Sequence, residues 1–179
     1  MGRTRGDRAA DASRPQDGVR CERGRVVLFG GEWGSTLYAD TWEWDGAAWL
    51  DRQITGPAGR YAHTMAFDSV RNRVVLFGGM VSGGSAVDDT WEYDGTAWTQ
   101  KMPVHHPAAR WEHGSTFHAG RKRMVLFGGY VSNSADGGTW EWDGTDWKLA
   151  TSEGPYRRAV FGITYDAKRD VAVLFGGFA

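Results

Sequence analysis

Two short phrases recur along this chain at nearly constant spacing, and that recurrence limits the fold more than any other feature. VVLFGG stands at 26–31 and 74–79, returns as MVLFGG at 124–129 and as AVLFGG at 172–177, in steps of 48, 50 and 48 residues. TWEWDG or TWEYDG begins at Thr41, Thr90 and Thr139, in two steps of 49, and each copy leads to a tryptophan, Trp49, Trp98 or Trp147. Such a period marks one supersecondary unit copied several times, each copy burying its apolar face on the next.

Each phrase reads as strand. VVLF is short, β-branched and apolar, and the glycine pair that stops it supplies backbone freedom for a turn. In TWEYDG, Trp91 and Tyr93 lie two apart and share one face of a strand, leaving Thr90, Glu92 and Asp94 on the other. Asp-Gly signals a tight hairpin, after which the chain returns as a strand bearing Trp98. Pro57, Pro107 and Pro155 each precede an arginine by three residues, Arg60, Arg110 and Arg158. The segments that follow, YAHTMAF, WEHGSTF and AVFGITY, end in an aromatic and turn back into the apolar phrase through DSVRNR, HAGRKR or DAKRDV. Four antiparallel strands per copy result.

These residues resemble the kelch repeat family, whose blade carries a double glycine after its second strand and spaced aromatics on its third and fourth. Gly78-Gly79 with Tyr93 and Trp98 fit the pattern, as do Gly128-Gly129 with Trp142 and Trp147; Gly30-Gly31 and Gly176-Gly177 are in phase. The resemblance covers roughly residues 26 to 179 and implies an all-β fold, a partial kelch-type β-propeller of four-stranded blades. WD40 fits less well, since its period is about 40 to 45 residues. Two complete blades are expected, 60–101 and 110–150, flanked by a partial blade at 26–54 and a half blade at 158–179. No strand like YAHTMAF precedes Val26, so the first blade is expected to lack its inner strand, although Asp17–Arg20 echoes Asp68–Arg71 at a different spacing. Residues 1–24, Arg-rich and polar without an apolar run, read as disordered and not as a complete secretory signal.

Two blades and two parts do not close a propeller, which in this family has about six or seven blades. Either the chain is a fragment, or strand 159–165 of one copy completes the blade begun by Val26 of another, making a homodimer with a six-bladed ring. The fragment reading is favoured, because the dimer leaves one VVLFGG copy surplus.

The ten tryptophans belong to the copied unit and are expected between blades, each burying enough surface to contribute about 4 to 6 kcal/mol gross. A net charge of -1 offers no field for nucleic acid, and no apolar run has the length of a membrane span. Compartment stays open, although similar bacterial proteins are often exported. Cys21 stands alone, so no intrachain disulfide is expected.

The segments after Gly-Gly, EWGSTLYAD, MVSGGSAVDD and YVSNSADGG, differ while their flanks agree. Together with the loops before each proline they are expected on one face, opposite the Asp-Gly hairpins, and variable loops on a rigid scaffold are where recognition usually resides. Trp33, Tyr38, Met80, Asp88, Tyr130 and Asn133 are the candidate partner-binding residues, for a protein or a carbohydrate. His105 and His106 lack a nearby Cys or carboxylate in sequence and read as exposed residues, with no metal or other cofactor implied. His63 and His113 take equivalent inner-strand positions where the third copy has Phe161, which suits core filling and not a ligand set. Arg60, Arg110 and Arg158 recur with Glu43, Glu92 and Glu141, predicting an ion pair or an arginine-aromatic stack within each blade.

Galactose oxidase and related copper radical enzymes share the kelch scaffold, but need a Tyr cross-linked to Cys, and Cys21 lies outside every expected blade. No nucleophile or acid-base pair stands out. The reading is a non-enzymatic interaction scaffold; the alternatives are a remnant of a galactose oxidase-like enzyme, or an architectural spacer in a larger secreted protein.

Overall fold

A computed structural model describes residues 19–20 and 24–179; it is built of strands and turns, with no helix among the described residues. Each TWEWDG-type phrase forms the third strand of a sheet and each apolar phrase the second. In the second blade the inner strand Thr64–Asp68 pairs with Arg73–Phe77, that strand with Thr90–Tyr93, and that with the outer strand Trp98–Lys101. The third blade repeats this order with Gly114–His118, Arg123–Phe127, Thr139–Trp142 and Trp147–Thr151. All pairings are antiparallel.

The first blade corrects one expectation. Val26–Phe29, Thr41–Trp44 and Trp49–Asp51 form its sheet, and Val19–Arg20 adds a fourth strand with Val19 opposite Val27 and Arg20 opposite Val26. Two residues suffice for a strand here because the neighbouring Val26–Phe29 offers an unpaired row of backbone groups. The strand-donation route to a homodimer therefore meets an edge already paired at Val26 and Val27. The disorder expected for 1–24 otherwise falls on residues outside those described, and so does Cys21. The half blade consists of Ala159–Asp166 against Val171–Phe178.

Blades stack through alternate faces of their second strands. Val27 and Phe29 of the first blade pack with Met65, Val74, Leu76, Tyr93 and Trp98 of the second. Val75 and Phe77, on the opposite face of the same second-blade strand, pack with Phe117, Met124, Leu126, Trp142 and Trp147 of the third. Period-two alternation thus gives each apolar strand one face for each neighbouring blade. Phe29 meets the Trp98 ring edge-on at 5.3 Å, and Phe77 meets Trp147 at 5.1 Å.

Gly79 shows why the second glycine is needed. Its φ is +99°, and a Cβ there would lie 2.8 Å from the Tyr61 carbonyl oxygen. Any side chain would be strained twice over, by the left-handed backbone and by the close approach.

Candidate functional site

The variable segments after Gly-Gly are short ribbons with pinned stems. Glu32–Trp33 pairs with Thr36–Leu37, Met80–Val81 with Ser85–Ala86, and Tyr130–Val131 with Ser134–Ala135. In each copy the second glycine's carbonyl accepts from the returning strand: Tyr38 N to Gly31 O at 2.9 Å, Val87 N to Gly79 O at 3.0 Å, Asp136 N to Gly129 O at 2.8 Å. A constant stem therefore carries changing tips.

The six candidate residues divide accordingly. Met80 lies in a stem, its backbone opposite Tyr61, and Tyr130 stacks near Trp111 with ring centroids 5.4 Å apart. Tyr38 is half-buried, its carbonyl accepting from Arg60 N. Trp33, Asp88 and Asn133 are exposed, Asn133 at a tip with φ +63°. The fold does not gather the six into one pocket: they mark three separate ribbons.

The expected separation of loops holds only in part. The loop before Pro107 reaches a ribbon through His106, whose Nδ1 lies 3.5 Å from Asp88 Oδ2. It also reaches an Asp-Gly hairpin, where Asp146 accepts from His105 N at 2.8 Å and lies 2.7 Å from His105 Nδ1. These bonds from His105 hold the Asp146 carboxyl below its usual range. The two histidines, read as lacking a carboxylate, each have one from a distant segment. Among the described residues no group of three or more His, Cys, Asp or Glu is placed to hold a metal ion.

The repeated arginines do not pair with the repeated glutamates, which corrects that expectation. Arg60, only 1% exposed, donates to Asp89 Oδ1 and Oδ2 at 2.5 and 2.9 Å and to the Gly78 and Ala58 carbonyls. Arg110 repeats this with Asp136, Gly128 O and Ala108 O. Position 138, where the spacing of Asp89 would put an acid, is Gly138, and Asp136 two residues earlier serves instead. Arg158 keeps only the two carbonyls, Tyr156 O and Gly176 O, among the described residues. The arginine thus ties the approach to the inner strand onto the base of a ribbon.

Glutamates join neighbouring blades. Glu43 accepts from the Tyr93 hydroxyl at 2.8 Å, and Glu92 from Trp142 Nε1 at 3.1 Å. Burial and the Glu43 carboxylate push the Tyr93 hydroxyl up to about 12. Thr41 and Thr90 do likewise, each accepting at 2.9 Å from Trp98 Nε1 and Trp147 Nε1. The glutamates' cations come from elsewhere: Arg25 for Glu43, Arg71 for Glu92, Arg121 for Glu141. A buried indole or phenol seeks a partner, so the constant offsets, 50 residues from Glu to its ring and 57 from Thr to its ring, were the signal available in the sequence.

His63 and His113 lie in the core, their rings edge-on to Phe29 and Phe77 at 5.8 and 5.7 Å. Phe161 takes the same place against Phe127 at 5.6 Å. No helix among the described residues is long and apolar enough to cross a membrane.

No curated protein matches the chain. Residues 19–179 match the KLHDC2/KLHL20/DRC7 Kelch-repeats domain, so the blades, their glycine pairs and their interleaved aromatics are those of a member of the kelch repeat family.

Proposed function

We propose that this chain is a protein-binding scaffold whose recognition surface is the set of ribbons after the glycine pairs and the segments returning from them, with Trp33, Asp88 and Asn133 as its exposed candidate residues. Kelch-repeat domains are protein-interaction scaffolds in general and typically non-enzymatic. The finer reading rests on one observation: three stems closed by the same backbone bond carry tips of different sequence and chemistry. Rigid stems lower the ordering cost of binding, and varied tips give selectivity.

Stem residues Tyr38, Met80 and Tyr130 would act mainly by fixing ribbon orientation. A carbohydrate partner is a competing outcome, served by Trp33 as a stacking platform. The strand-donated homodimer draws no support from the first blade's paired edge.

The test is quantitative affinity capture with the chain and with a triple variant, Trp33→Asp, Asp88→Arg and Asn133→Arg. The variant should keep its melting temperature within about 2 °C, as surface changes usually do, and lose at least tenfold of the recovered partner. Undiminished recovery would overturn the proposal, and retention on immobilised glycans alone would replace a protein by a carbohydrate.

A further inference from the structure

The seam between the first and second blades and the seam between the second and third are built from equivalent segments, yet only the first is filled. At the first, the connection before Pro57 runs Arg52-Gln53-Ile54-Thr55-Gly56, and Ile54, like Trp91, packs against the buried cluster that contains Trp98. Gly56 lies flat on the indole: a Cβ there would stand 2.6 Å from Trp98 Cδ1. Arg52 Nη2 donates to Gly95 O of the Asp-Gly hairpin at 3.2 Å, and Nη1 lies 3.6 Å from Glu43.

At the second seam the connection has one more residue, with Lys101 in the place of Arg52, as its 3.8 Å approach to Glu92 shows. His106 stands immediately before Pro107, where the first copy has Gly56. A histidine has no room flat on the indole, so the loop stands off and is held instead by the His105–Asp146 bonds and by Trp147 N to His105 O. Val104, three residues before the proline like Ile54, is 83% exposed. A cleft of about 720 Å3 is left, with Val104, Trp140, Trp147 and Leu149 as its apolar walls and Asp143, Asp146 and Lys148 at its rim. That volume is in the range of ligand sites.

Trp140 adds a donor. Trp42 and Trp91 each give their indole N–H to Asp40 or Asp89 at 2.8 Å, but Gly138 stands at the corresponding place before Trp140. Trp140 and Leu149 also line a second cleft of about 330 Å3 beside Gly137 and Gly138, so the apolar seat continues past one site.

We infer that the cleft between the loop 102–106 and the outer strands of the third blade seats an extended segment of a partner protein, one with a basic residue two positions before Ile or Leu. The chain supplies its own template for the aliphatic residue in Ile54, whose counterpart Val104 stands exposed; since Lys101 already takes the place of Arg52, it is the Asp143 and Asp146 carboxylates of the lining that call for the basic residue. The aliphatic side chain enters beside Trp140 and Leu149, the basic residue faces Asp143 and Asp146, and the Trp140 N–H meets a backbone carbonyl. This reading rests on the protein-binding function proposed above and adds a second contact surface, distinct from the ribbon tips.

The probe is a labelled synthetic peptide of residues 50–56, Leu-Asp-Arg-Gln-Ile-Thr-Gly, titrated with the whole chain by fluorescence anisotropy. Saturable binding is expected, weakened at least tenfold by the peptide change Ile54→Asp and at least threefold by Arg52→Ala. Leu149→Asp in the chain should weaken it tenfold, and replacing residues 102–106 by Gln-Ile-Thr-Gly should close the cleft and abolish it. The loop-exchanged chain restores a connection already present in this fold, so it covers the case in which Leu149→Asp does not fold. No saturation by roughly 1 mM peptide, or equal affinity for the wild-type and loop-exchanged chains, would overturn the inference. A ribbon double variant, Trp33→Asp with Asn133→Arg, leaves the Asp88–His106 contact of the cleft loop in place and should bind the peptide as tightly as wild type. Lost peptide binding with intact partner capture would therefore count against the cleft alone, and the reverse against the ribbons alone.

Discussion

Phe77 and Phe175 occupy the same place in two copies of one phrase, yet Phe77 is 0% exposed and Phe175 87% exposed. Both stand just before Gly-Gly, Phe77 at the end of its strand and Phe175 within Val171–Phe178, and both belong to well-formed antiparallel pairs. What differs is the neighbour. Phe77 is covered by Trp147 of the third blade, whereas no described residue brings a blade against Phe175. A kelch strand is apolar on the face it shows the next blade, and its burial is a property of the seam, not of the strand. Stability in such a fold is a sum of blade and seam contributions.

The comparison breaks most visibly at the tryptophans. Trp147→Ala removes a ring that is 2% exposed and packed on Phe77, and it should cost about 3 to 5 kcal/mol, as large-to-small changes at buried aromatics do. Phe175→Ala should stay within about 0.5 kcal/mol. Urea unfolding followed by tryptophan fluorescence checks both. A cost above about 2 kcal/mol at Phe175 would mean that its exposed face is covered in solution.

The same contrast holds for the arginines. Arg110 has a carboxylate and two carbonyls, Arg158 only two carbonyls among the described residues. Arg110→Met strands Asp136 and leaves the carbonyls of Gly128 and Ala108 without that donor. Since Asp136 is partly exposed, the cost should be about 2 kcal/mol, below that of breaking a fully buried pair. Arg158→Met should cost less than about 1 kcal/mol. Equal melting shifts for the two would show that the carboxylate adds nothing.

These contrasts also mark what the sequence revealed. The strands, the hairpins and the interleaved tryptophans follow from period-two alternation, Asp-Gly and a constant repeat length, all local or periodic signals. The arginine partners were hidden because the acid moves, from Asp89 in one copy to Asp136 in the next, so that Arg60, Glu92 and their constant spacing suggested the wrong pair. Val19–Arg20 carries no sequence signal, because a strand of two residues has no periodicity and its partner edge supplies the ordering. The cleft beside Trp140 depends on one inserted residue and on His106 in place of Gly56, a steric difference visible only when the indole beneath is in place. The ribbons have no side-chain pattern of strands, since their stems are set by hydrogen bonds to the carbonyl of the second glycine.

The smallest of these effects sharpens the comparison between the full and half blades through pH. His113 is buried, and burial, with Arg110 nearby, lowers its pKa to about 3, while burial holds His63 well below its usual value. Phe161 fills the equivalent place in the half blade and cannot titrate. A base whose folded pKa lies below its unfolded value of about 6.5 contributes full stability above that value and loses it as pH falls toward the folded pKa. Between pH 8 and 5.5, His113 alone should therefore remove about 1.4 kcal/mol of stability. His113→Phe copies the half blade's choice into the full blade, next to the same kind of phenylalanine edge. The variant should show a pH dependence shallower by about that 1.4 kcal/mol over the same range in urea titrations. An unchanged slope would mean that the His113 ring takes up its proton in the folded protein near its ordinary pKa, and that the inner strand of the third blade is wetter than its burial indicates.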